Sequence, residues 1–382
     1  MPDSFKKRIL FLYPDPPGFS GQRRASELML EVFEGSESFQ LLPVKLPGLP
    51  KTGGGVFAYL NFAMAMTWSI FSVVRHAVFS NLSGGFIALC QTKLTLVREH
   101  SLLRLIRFLS RKPNLPFGYR LDGSNFTGWA DDEDIAKKFR HVLSEGKFVS
   151  VLGPTQKKIA DDRFRSRDLE PVIVPNTCEF KPISMAEIVS KQTGVETLKI
   201  LHLSSLMEPK GFVEFAESTS KTSDNTQLIV CGKITSTQYD QKFKTVGEAT
   251  DWLRKQASDS ERLSWVEGAY GEEKRQLFLQ SHVFVMPTDY PVEAQPLVLL
   301  EAMACGCAII TTDVGEIPYM VDDSCALVLK KRCSDEIAKA IEKLHDEKFR
   351  QQLAVAGHER FLSRFSMQQN LETWRSIFQS AY

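Results

Sequence analysis

Glu293 and Glu301 lie eight positions apart in a segment that reads VEAQPLVLLEAMACGCA. Glu293 follows the strand-like run VFVMP and lies in a proline-flanked loop, whereas Glu301 lies inside LVLLEAMA, an apolar and helix-like run. Carboxylates accept hydrogen bonds from hydroxyl groups, so the pair could hold a polyhydroxy ligand at two points. Alternatively, the helix dipole favours a glutamate near a helix start, and the second glutamate lies on a solvated face. The apolar neighbours of Glu301 weaken that alternative.

The residues between the two glutamates are expected to supply backbone donors. The loop ends where a helix begins, and N–H groups at a helix start suit a phosphate or a hydroxylated sugar. Pro296 has no N–H and cannot take part. The remaining residues are therefore candidate ligand contacts: Ala294, Gln295, Leu297 and Val298.

A lysine beside a glycine follows another strand-like run. Lys210 and Gly211 come shortly after LKILHL, and this pattern could present a cation to a phosphate, with the glycine allowing close approach. An ordinary exposed lysine in a turn is the alternative interpretation. Gly232 and Lys233 follow the run LIVC in a similar way and offer a second cation.

Two further stretches follow strand-like runs nearer the beginning of the chain. Asp122 lies in RLDGSN, where it could bind hydroxyl groups or act as a base, or could form a DG turn with its own backbone. The sequence favours neither interpretation. Gly21, Arg23 and Arg24 lie in SGQRRASE after the first strand. The two arginines are candidate contacts for a phosphate or an acceptor, with a solvated helix start as the alternative.

These stretches belong to an alternating pattern of strands and helices. RILFLYP, FQLLPVKL, HAVFSNLS and LPFGYRLD read as strands in the first half, and the same pattern restarts at LKILHLSSL. Such alternation indicates βαβ units with parallel sheets. We therefore predict an α/β protein with two Rossmann-like, doubly wound domains facing across a cleft, with ligands at the carboxyl ends of the strands. Prolines and an asparagine interrupt the pattern in 174–184, which places the domain boundary there.

The segment PVEAQPLVLLEAMACGCAIITTDVGEIPYMV resembles the Glu-x7-Glu signature of glycosyltransferase family 4. The resemblance implies a GT-B fold and the transfer of a sugar from a nucleoside diphosphate with retention of configuration. It implies that Glu293 contacts the donor sugar near its reacting carbon and that Glu301 binds the ribose hydroxyl groups. It also implies that the loop between them offers backbone N–H groups to the sugar and the phosphates.

A second motif of the family, Gly-Arg-Leu-x-x-x-Lys-Gly, clamps the diphosphate with its arginine and lysine. Lys210 and Gly211 match it, but Ser205 occupies the arginine position. A serine hydroxyl stabilises a leaving phosphate less than a guanidinium does, and Lys233 could replace the missing cation. The histidine that the family often has near the donor sugar corresponds to Asp122 here. The resemblance places the loop with Gly21 near the donor phosphates and the acceptor.

The resemblance also implies a role for each domain. Residues 1–180 would bind the acceptor, 181–365 would bind the donor, and 366–382 would form a helix that returns to the first domain. The implied enzyme moves a hexosyl-type sugar to a glycan or lipid-linked saccharide, in the synthesis of a polysaccharide, lipopolysaccharide or glycolipid, without a metal or another cofactor. Two alternatives stay open: an inactive relative that only binds a nucleotide-sugar, and an epimerase or hydrolase on the same fold.

The composition limits the partners and the compartment. A net charge of +1 over 382 residues offers no general attraction to nucleic acid, so no nucleic-acid partner is expected. The seven cysteines are odd in number and mostly lie in apolar runs, which indicates reduced thiols in the cytoplasm. Cys305 and Cys307 flank one glycine but have no further ligands nearby, so no metal site is expected.

Two stretches bear on membrane contact. Residues 56–74 carry no charge, and we expect a buried core helix, with an interfacial helix or a membrane span as alternatives. Residues 92–112 combine leucines with several basic residues. That pattern is typical either of a core-facing helix with a solvated basic face or of a helix on an anionic membrane surface. The second interpretation would make the protein peripheral on the inner face of the plasma membrane.

Overall fold

The computed structural model describes residues 6–16, 21–48, 55–89, 93–123, 126, 133–164 and 170–382. The chain divides into two compact units. Unit 1 comprises Met1–Thr177 and Met367–Tyr382, and unit 2 comprises Cys178–Ser366. Each unit is built on one parallel six-stranded sheet with helices between the strands, and the predicted α/β class with two doubly wound units is confirmed.

Unit 1 alternates strands and helices along its length. Its strands are β1 (Lys7–Asp15), β2 (Phe39–Pro47), β3 (Gly84–Ala88), β4 (Phe117–Leu121), β5 (Phe148–Val151) and β6 (Pro171–Ile173). The helices between them are α1 (Gly21–Phe33), α2 (Gly55–Phe79), α3 (Lys93–Leu109), α4 (Glu133–Ser144) and α5 (Pro154–Phe164). The strand order is β2-β1-β3-β4-β5-β6, so the winding direction reverses between β1 and β3. The run from Ile9 to Tyr13 is buried on both faces, as expected for a strand covered by helices on either side.

Unit 2 repeats this architecture. Its strands are β7 (Leu198–Leu203), β8 (Thr226–Cys231), β9 (Leu263–Val266), β10 (Val283–Met286), β11 (Ala308–Thr312) and β12 (Ala326–Leu329). Its helices are α6 (Met185–Gln192), α7 (Phe212–Ser218), α8 (Val246–Ser258), α9 (Gly271–Gln280), α10 (Leu297–Ala304), α11 (Ile317–Met320), α12 (Ser334–Lys343) and α13 (Glu347–Arg364). The strand order is β12-β11-β10-β7-β8-β9, so the reversal falls between β7 and β10.

The last helix, α14 (Met367–Ala381), follows unit 2 in the chain and packs in unit 1. Trp374 is fully buried there, and its ring lies 5.1 Å from the ring of Phe86 in β3. Asn370 donates a hydrogen bond to the carbonyl oxygen of Pro175 at 2.7 Å. The helix is therefore held by an aromatic cluster and by a polar contact to the end of the first segment of unit 1.

The prediction of a strand in HAVFSNLS is wrong. Residues 76–79 form the last turn of α2, and the third strand of the sheet is Gly84–Ala88 instead. Glycines are depleted in strands, which hid this one. Here they leave room for aromatic rings, because a Cβ atom on Gly85 would lie 2.0 Å from the ring of Phe117.

The prediction of a buried core helix over 56–74 is also wrong. Only four residues of α2 are buried, and most of its large apolar side chains are exposed. By length and composition α2 is long and apolar enough to cross a membrane. The neighbouring α3 buries Leu103 and Ile106 and exposes Arg104, which is the arrangement of a core-facing helix with a basic outer face.

Candidate active site

Two loops lie side by side at the reversal point of the second sheet. β7 and β10 are neighbours, and the chain runs from β7 outward to β8 and β9 and from β10 outward to β11 and β12. Loops at the carboxyl ends of two such strands form the usual ligand site of an open α/β sheet. We call residues 204–211, after β7, and 287–296, after β10, the switch-point loops.

The switch-point loops carry an ion pair between two of the predicted site residues. The Lys210 ammonium nitrogen lies 3.3 Å from a carboxylate oxygen of Glu293, and both side chains are largely buried. The same nitrogen lies 5.6 Å from the centre of the Tyr290 ring, at cation–π distance. The structure therefore brings the predicted phosphate-binding lysine and the predicted sugar-binding glutamate into direct contact.

Backbone hydrogen bonds tie the two loops together. The N–H of Asp289 donates to the carbonyl oxygen of Pro209 at 2.8 Å, and the Thr288 hydroxyl donates to the same oxygen at 3.3 Å. The Glu208 carboxylate accepts three N–H groups, from residues 241–243, at 2.6 to 2.7 Å. Lys210 is therefore presented by a loop that is fixed on both sides.

Two glycines allow the close approaches that the ion pair requires. Gly211 has φ +84°, and a Cβ atom there would lie 2.6 Å from the backbone oxygen of Pro287. Gly315 has φ +62°, and a Cβ atom there would lie 2.3 Å from the backbone oxygen of Glu293. Both positions exclude larger residues on two grounds, since a positive φ disfavours a Cβ atom and no space is left for one.

The helix that follows Glu293 begins without a side-chain cap. Pro296 occupies the N-cap position of α10. The first N–H groups of a helix have no partner within it, so those of Leu297 and Val298 suit an external acceptor. Both residues are half-exposed. Ala294 and Gln295 are buried, and the carbonyl oxygen of Ala294 accepts a hydrogen bond from Glu316.

Glu301 has a partner that the sequence did not reveal. Its two carboxylate oxygens lie 2.6 and 2.5 Å from the Lys274 ammonium nitrogen, and both side chains are buried. Lys274 comes from α9 and also lies 5.7 Å from the centre of the Phe180 ring. This pairing explains how a carboxylate is accommodated inside LVLLEAMA, because a buried charge needs an opposite charge close by. Binding of ribose hydroxyl groups by Glu301 stays a prediction.

The register of the sheet brings Ser205 beside Lys233. β7 and β8 pair Leu203 with Cys231, and a bridge beyond the strand ends pairs Leu206 with Ile234 in the same register. Ser205 and Lys233 therefore occupy opposite positions, and both are exposed. A cation thus stands next to the position where the resemblance implies an arginine.

Gly232, the residue before Lys233, is held by hydrogen bonds to its N–H and to its carbonyl oxygen. Its N–H donates to the carbonyl oxygen of Val266 at 2.9 Å. Its carbonyl oxygen accepts a hydrogen bond from the Trp265 indole at 3.1 Å. The structure therefore gives Gly232 a fixed position at the end of β8.

A buried histidine supports the first switch-point loop. His202 Nδ1 lies 3.0 Å from the carbonyl oxygen of Val285, and Nε2 lies 3.1 Å from the Ser204 hydroxyl. A carbonyl oxygen can only accept, so Nδ1 carries the proton. Burial, with a smaller effect from the charge of Lys210, lowers the pKa of His202 to about 4, although the contact with Val285 opposes the shift. The neutral ring links β7, β10 and the start of the loop.

Asp122 lies in unit 1 and forms a buried ion pair with Arg120. Arg120 also donates a hydrogen bond to Asn176 at 2.8 Å and lies over the Trp374 ring. Burial raises the pKa of Asp122, and Arg120 opposes that shift. Among the described residues, no hydrogen-bond donor contacts its second oxygen, Oδ2. That oxygen could accept a hydrogen bond from a ligand hydroxyl.

The two predicted arginines of α1 already have carboxylate partners. Arg23 lies 3.0 Å from Asp15 and 3.0 Å from Glu27. Arg24 lies 2.9 Å from Glu31. Gly21 is exposed at the first position of the same helix. Gly18, which formed a loose pair with Gly21 in the sequence, lies outside the described residues.

The six described cysteines are free thiols. Burial raises the pKa of Cys231 to about 11 and that of Cys305 to about 12, which keeps both thiols protonated and unreactive near neutral pH. The Cys307 thiol lies 3.3 Å from the Lys191 ammonium nitrogen. Cys90 lies outside the described residues.

Sequence reasoning missed several residues that build the site: Lys274, Glu208, His202 and Gly315. Lys274 lies in EEKRQLF, where its neighbours are polar and nothing marks it as buried. Glu208 and His202 act through contacts to loops or strands that are distant in sequence. Only Gly315 carried a local signal, since the sequence TDVGEIP places a glycine between a strand and a helix.

Most of unit 2 matches the sequence profile of a known protein family. Residues 186–360 match the sequence profile of the family described as "Glycosyl transferases group 1". The matched region contains both switch-point loops and α10. The matched region therefore coincides with the part of the chain that carries Lys210, Glu293 and Glu301.

One sequence relative and two solved structures illustrate the similarity. The alpha-maltose-1-phosphate synthase of Mycolicibacterium smegmatis is 28% identical over 206 residues, which cover 50% of this chain and 51% of the relative. The chain thus matches about half of the length of that protein. HepE of Anabaena in complex with UDP-glucose superposes with a TM-score of 0.66 at 15% identity, covering 98% of this chain and 99% of HepE. The sucrose-phosphate synthase of Thermosynechococcus elongatus gives 0.69 at 15% identity, with 98% and 99% covered. The predicted GT-B fold is confirmed.

Proposed function

We propose that this protein is a retaining glycosyltransferase that uses a nucleoside-diphosphate sugar. The observation that carries the proposal is the contact between Lys210 and Glu293 at the reversal point of the second sheet, beside the uncapped start of α10. A lysine and free helix N–H groups stabilise a leaving diphosphate, and a carboxylate accepts hydrogen bonds from sugar hydroxyl groups. Lys210, Glu293 and the start of α10 lie on two adjacent loops, so a single nucleotide-sugar could contact all three.

Each residue of the site then has a role toward the donor. Lys210 and the N–H groups of Leu297 and Val298 would offset the charge that develops on the diphosphate, and no metal is invoked for that purpose. Glu293 would exchange part of its contact with Lys210 for hydroxyl groups of the sugar. Glu301, held by Lys274, would receive the ribose hydroxyl groups.

The transfer itself exchanges one bond for another. The acceptor oxygen forms a bond to the anomeric carbon, the bond from that carbon to the diphosphate breaks, and the acceptor proton passes to the leaving diphosphate. Unit 1 would supply the acceptor contacts. Asp122 has an oxygen available for a hydroxyl group, and Arg23 and Arg24 would have to share their carboxylate partners with the acceptor.

The relatives support this proposal at a coarse level. HepE is described with UDP-glucose, and two further relatives are named for the synthesis of phosphorylated sugars. A hexosyl donor and a glycan or lipid-linked saccharide acceptor are the substrates that we propose for this chain. The compartment that we propose is the cytoplasm, where nucleotide-sugars would reach the second unit.

An inactive nucleotide-sugar-binding protein is a second candidate, and one observation favours it. The charge of Lys210 is already balanced by Glu293, and Ser205 adds no cation. Such a protein would bind the donor through α10 and Lys233 without stabilising the leaving group. An epimerase or hydrolase on the same fold is separated from both candidates by its products.

The test is an incubation of the full chain with UDP-glucose, ADP-glucose or GDP-mannose, each with and without a glycolipid extract. Transfer of labelled sugar to the extract, lost in Glu293→Gln, supports the transferase. Turnover that needs no acceptor indicates an epimerase or hydrolase. Saturable binding of these donors without any product in either condition indicates the inactive relative. A matched control is Glu336→Gln, which changes a half-exposed glutamate of α12 in the same unit.

A further inference from the structure

α2 presents a continuous apolar stripe to solvent. Large exposed apolar side chains recur at helical spacing on one face: Phe57, Leu60, Met64, Trp68, Phe71, Val78 and Phe79. Phe57 is 83% exposed and Trp68 is 72% exposed. The rings of Trp68 and Phe71 lie 5.8 Å apart, so the stripe forms one surface. At about 1.5 Å per residue, a helix of 25 residues extends over about 37 Å.

The opposite side of α2 is anchored on unit 1. Ser69, Val73, His76 and Ala77 are buried, and the Ser69 hydroxyl donates to the carbonyl oxygen of Lys45 in β2 at 2.6 Å. A helix with one side packed on a sheet cannot be surrounded by lipid without losing that packing. The anchoring therefore favours a helix that lies along a surface over a helix that crosses a bilayer.

The exposed apolar face of α2 is large enough to require a binding partner that covers it. Helices that are apolar on nearly all sides are found in protein cores or in membranes, and large exposed apolar patches mark interaction sites. In the 18-residue window of α2 that is most apolar, only 11% is buried inside the protein. The charges around the stripe indicate which occupant fits.

Three exposed arginines lie on or just after the two helices. Arg75 lies on α2 between Phe71 and Val78, Arg104 lies on the adjacent α3, and Arg111 lies two residues beyond the end of α3. Within the described parts of the chain, none of the three forms an ion pair. The segments that follow the two helices are in contact, since the Lys112 ammonium donates to the carbonyl oxygen of Leu82 at 2.7 Å. Positive charge beside an apolar stripe complements an anionic lipid surface.

A basic groove beside α3 adds to this charge. It has a volume of about 710 Å³ and is lined by Arg104, Arg107, Arg111 and His100, among others. Its carboxylate, Glu145, is held by Arg107 at 2.6 Å. His100, His141 and Glu145 also lie within 4.8 Å of one another, which would suit a metal ion. The three surrounding arginines disfavour a cation and favour an anionic group such as a phosphate.

We propose that α2 lies in the plane of an anionic membrane, with its apolar stripe among the acyl chains near the headgroups. Arg75, Arg104 and Arg111 then contact lipid phosphates, and the buried side of α2 keeps unit 1 outside the bilayer. Trp68 has the amphipathic ring that membrane interfaces favour. This inference concerns unit 1 and does not depend on the proposed transfer reaction.

The test is flotation of the full chain with two kinds of vesicle, phosphatidylcholine alone and phosphatidylcholine with about one-third phosphatidylglycerol. We expect binding to the anionic vesicles that weakens as salt rises. Replacing Trp68 and Phe71 by serine should reduce the bound fraction roughly tenfold or more. Arg104→Ala with Arg111→Ala should reduce it by about fivefold for each arginine.

Matched controls come from exposed residues of unit 2. Leu362→Ser removes an exposed apolar side chain, and Arg254→Ala removes an exposed arginine; both should bind vesicles like the unchanged chain. Equal thermal unfolding of all variants shows that the fold is intact. Absence of binding to anionic vesicles overturns the proposal, as does equal binding by the Trp68→Ser, Phe71→Ser double variant. A dimer of the unchanged chain that this variant converts to a monomer, without lipid binding, assigns the stripe to a second copy and also overturns it.

Discussion

Both carboxylate oxygens of Glu301 lie within 2.6 Å of the Lys274 ammonium nitrogen. Both side chains are buried, so solvent does not screen the pair. The pair joins α9 to α10, the helix that begins the candidate donor site. Two opposite charges that share a buried position stabilise each other, but each becomes costly when the other is removed.

Lys274→Met should therefore destabilise the protein more than loss of both charges. We expect a decrease of about 3–5 kcal/mol in the free energy of unfolding for Lys274→Met, because Glu301 is left buried without a partner. The double variant Lys274→Met, Glu301→Leu should recover a large part of that loss. Urea unfolding of the two single variants and the double variant measures the coupling, and strictly additive effects would contradict the pairing.

The same pair shows how far the sequence could lead. Glu293 and Glu301 were identified from their spacing and from a resemblance, and the start of α10 at Leu297 follows from the proline and the apolar run. Lys274 was missed because it is 27 positions from Glu301 in a polar helix, and only the packing of α9 on α10 buries it. Contacts between distant elements leave no local pattern in a sequence.

The helix α2 shows a different kind of error. The absence of charge in 56–74 correctly predicted a helix, but the same composition suits a protein core and a lipid surface. Which environment applies depends on whether the rest of unit 1 covers the helix, and unit 1 buries only four residues of α2. Composition alone could not distinguish these environments.

Gly315 and Gly194 form a matched pair for testing the approach to Glu293. Their φ angles are +62° and +66°, but a Cβ atom on Gly315 would lie 2.3 Å from the backbone oxygen of Glu293, whereas nothing lies within 4 Å of one on Gly194. Alanine at either position incurs the cost of a positive φ, about 1–2 kcal/mol. Gly315→Ala should cost about 1–3 kcal/mol more, because the loop must shift.

Only the Gly315 variant should also weaken donor binding, since it displaces Glu293. Chemical denaturation and calorimetric titration with UDP-glucose measure the two effects. If Gly194→Ala and Gly315→Ala proved equally stable and bound the donor equally well, the close approach would have no consequence.

Lys233 should supply the cation that Ser205 does not. The register of β7 and β8 places them opposite each other, so Lys233→Ala should raise the dissociation constant for UDP about tenfold. Ser205→Arg in the Lys233→Ala background should restore most of that affinity. The control is Lys255→Ala, an exposed lysine of α8, which should leave UDP binding unchanged. Unaltered UDP affinity in Lys233→Ala would exclude Lys233 from the site.

His202 should make the protein less stable in mild acid. Its pKa is about 4 in the folded protein and about 6.5 in the unfolded chain, so between these pH values the unfolded chain binds the additional proton. The free energy of unfolding should fall as the pH decreases from 6.5 to 4, by at most about 1.4 kcal/mol per pH unit for this residue. His282, with a pKa that burial also lowers to about 4, contributes in the same direction.

His202→Asn should make this pH dependence shallower, since it removes one of the two histidines whose pKa is lowered to about 4. Unfolding by urea at several pH values between 4 and 7 provides the slope. His141→Asn serves as a control because His141 is exposed. An unchanged slope in His202→Asn would show that this ring binds a proton as readily in the folded state as in the unfolded chain.

The central claim is that Lys210 stabilises a leaving diphosphate at the switch-point loops. The most direct measurement is the rate of sugar transfer at saturating donor for the unchanged chain, Lys210→Ala and the control Lys339→Ala, an exposed lysine of α12. The account predicts a decrease of roughly 100-fold or more in kcat for Lys210→Ala and no change for Lys339→Ala. Transfer by Lys210→Ala at the rate of the unchanged chain would contradict it.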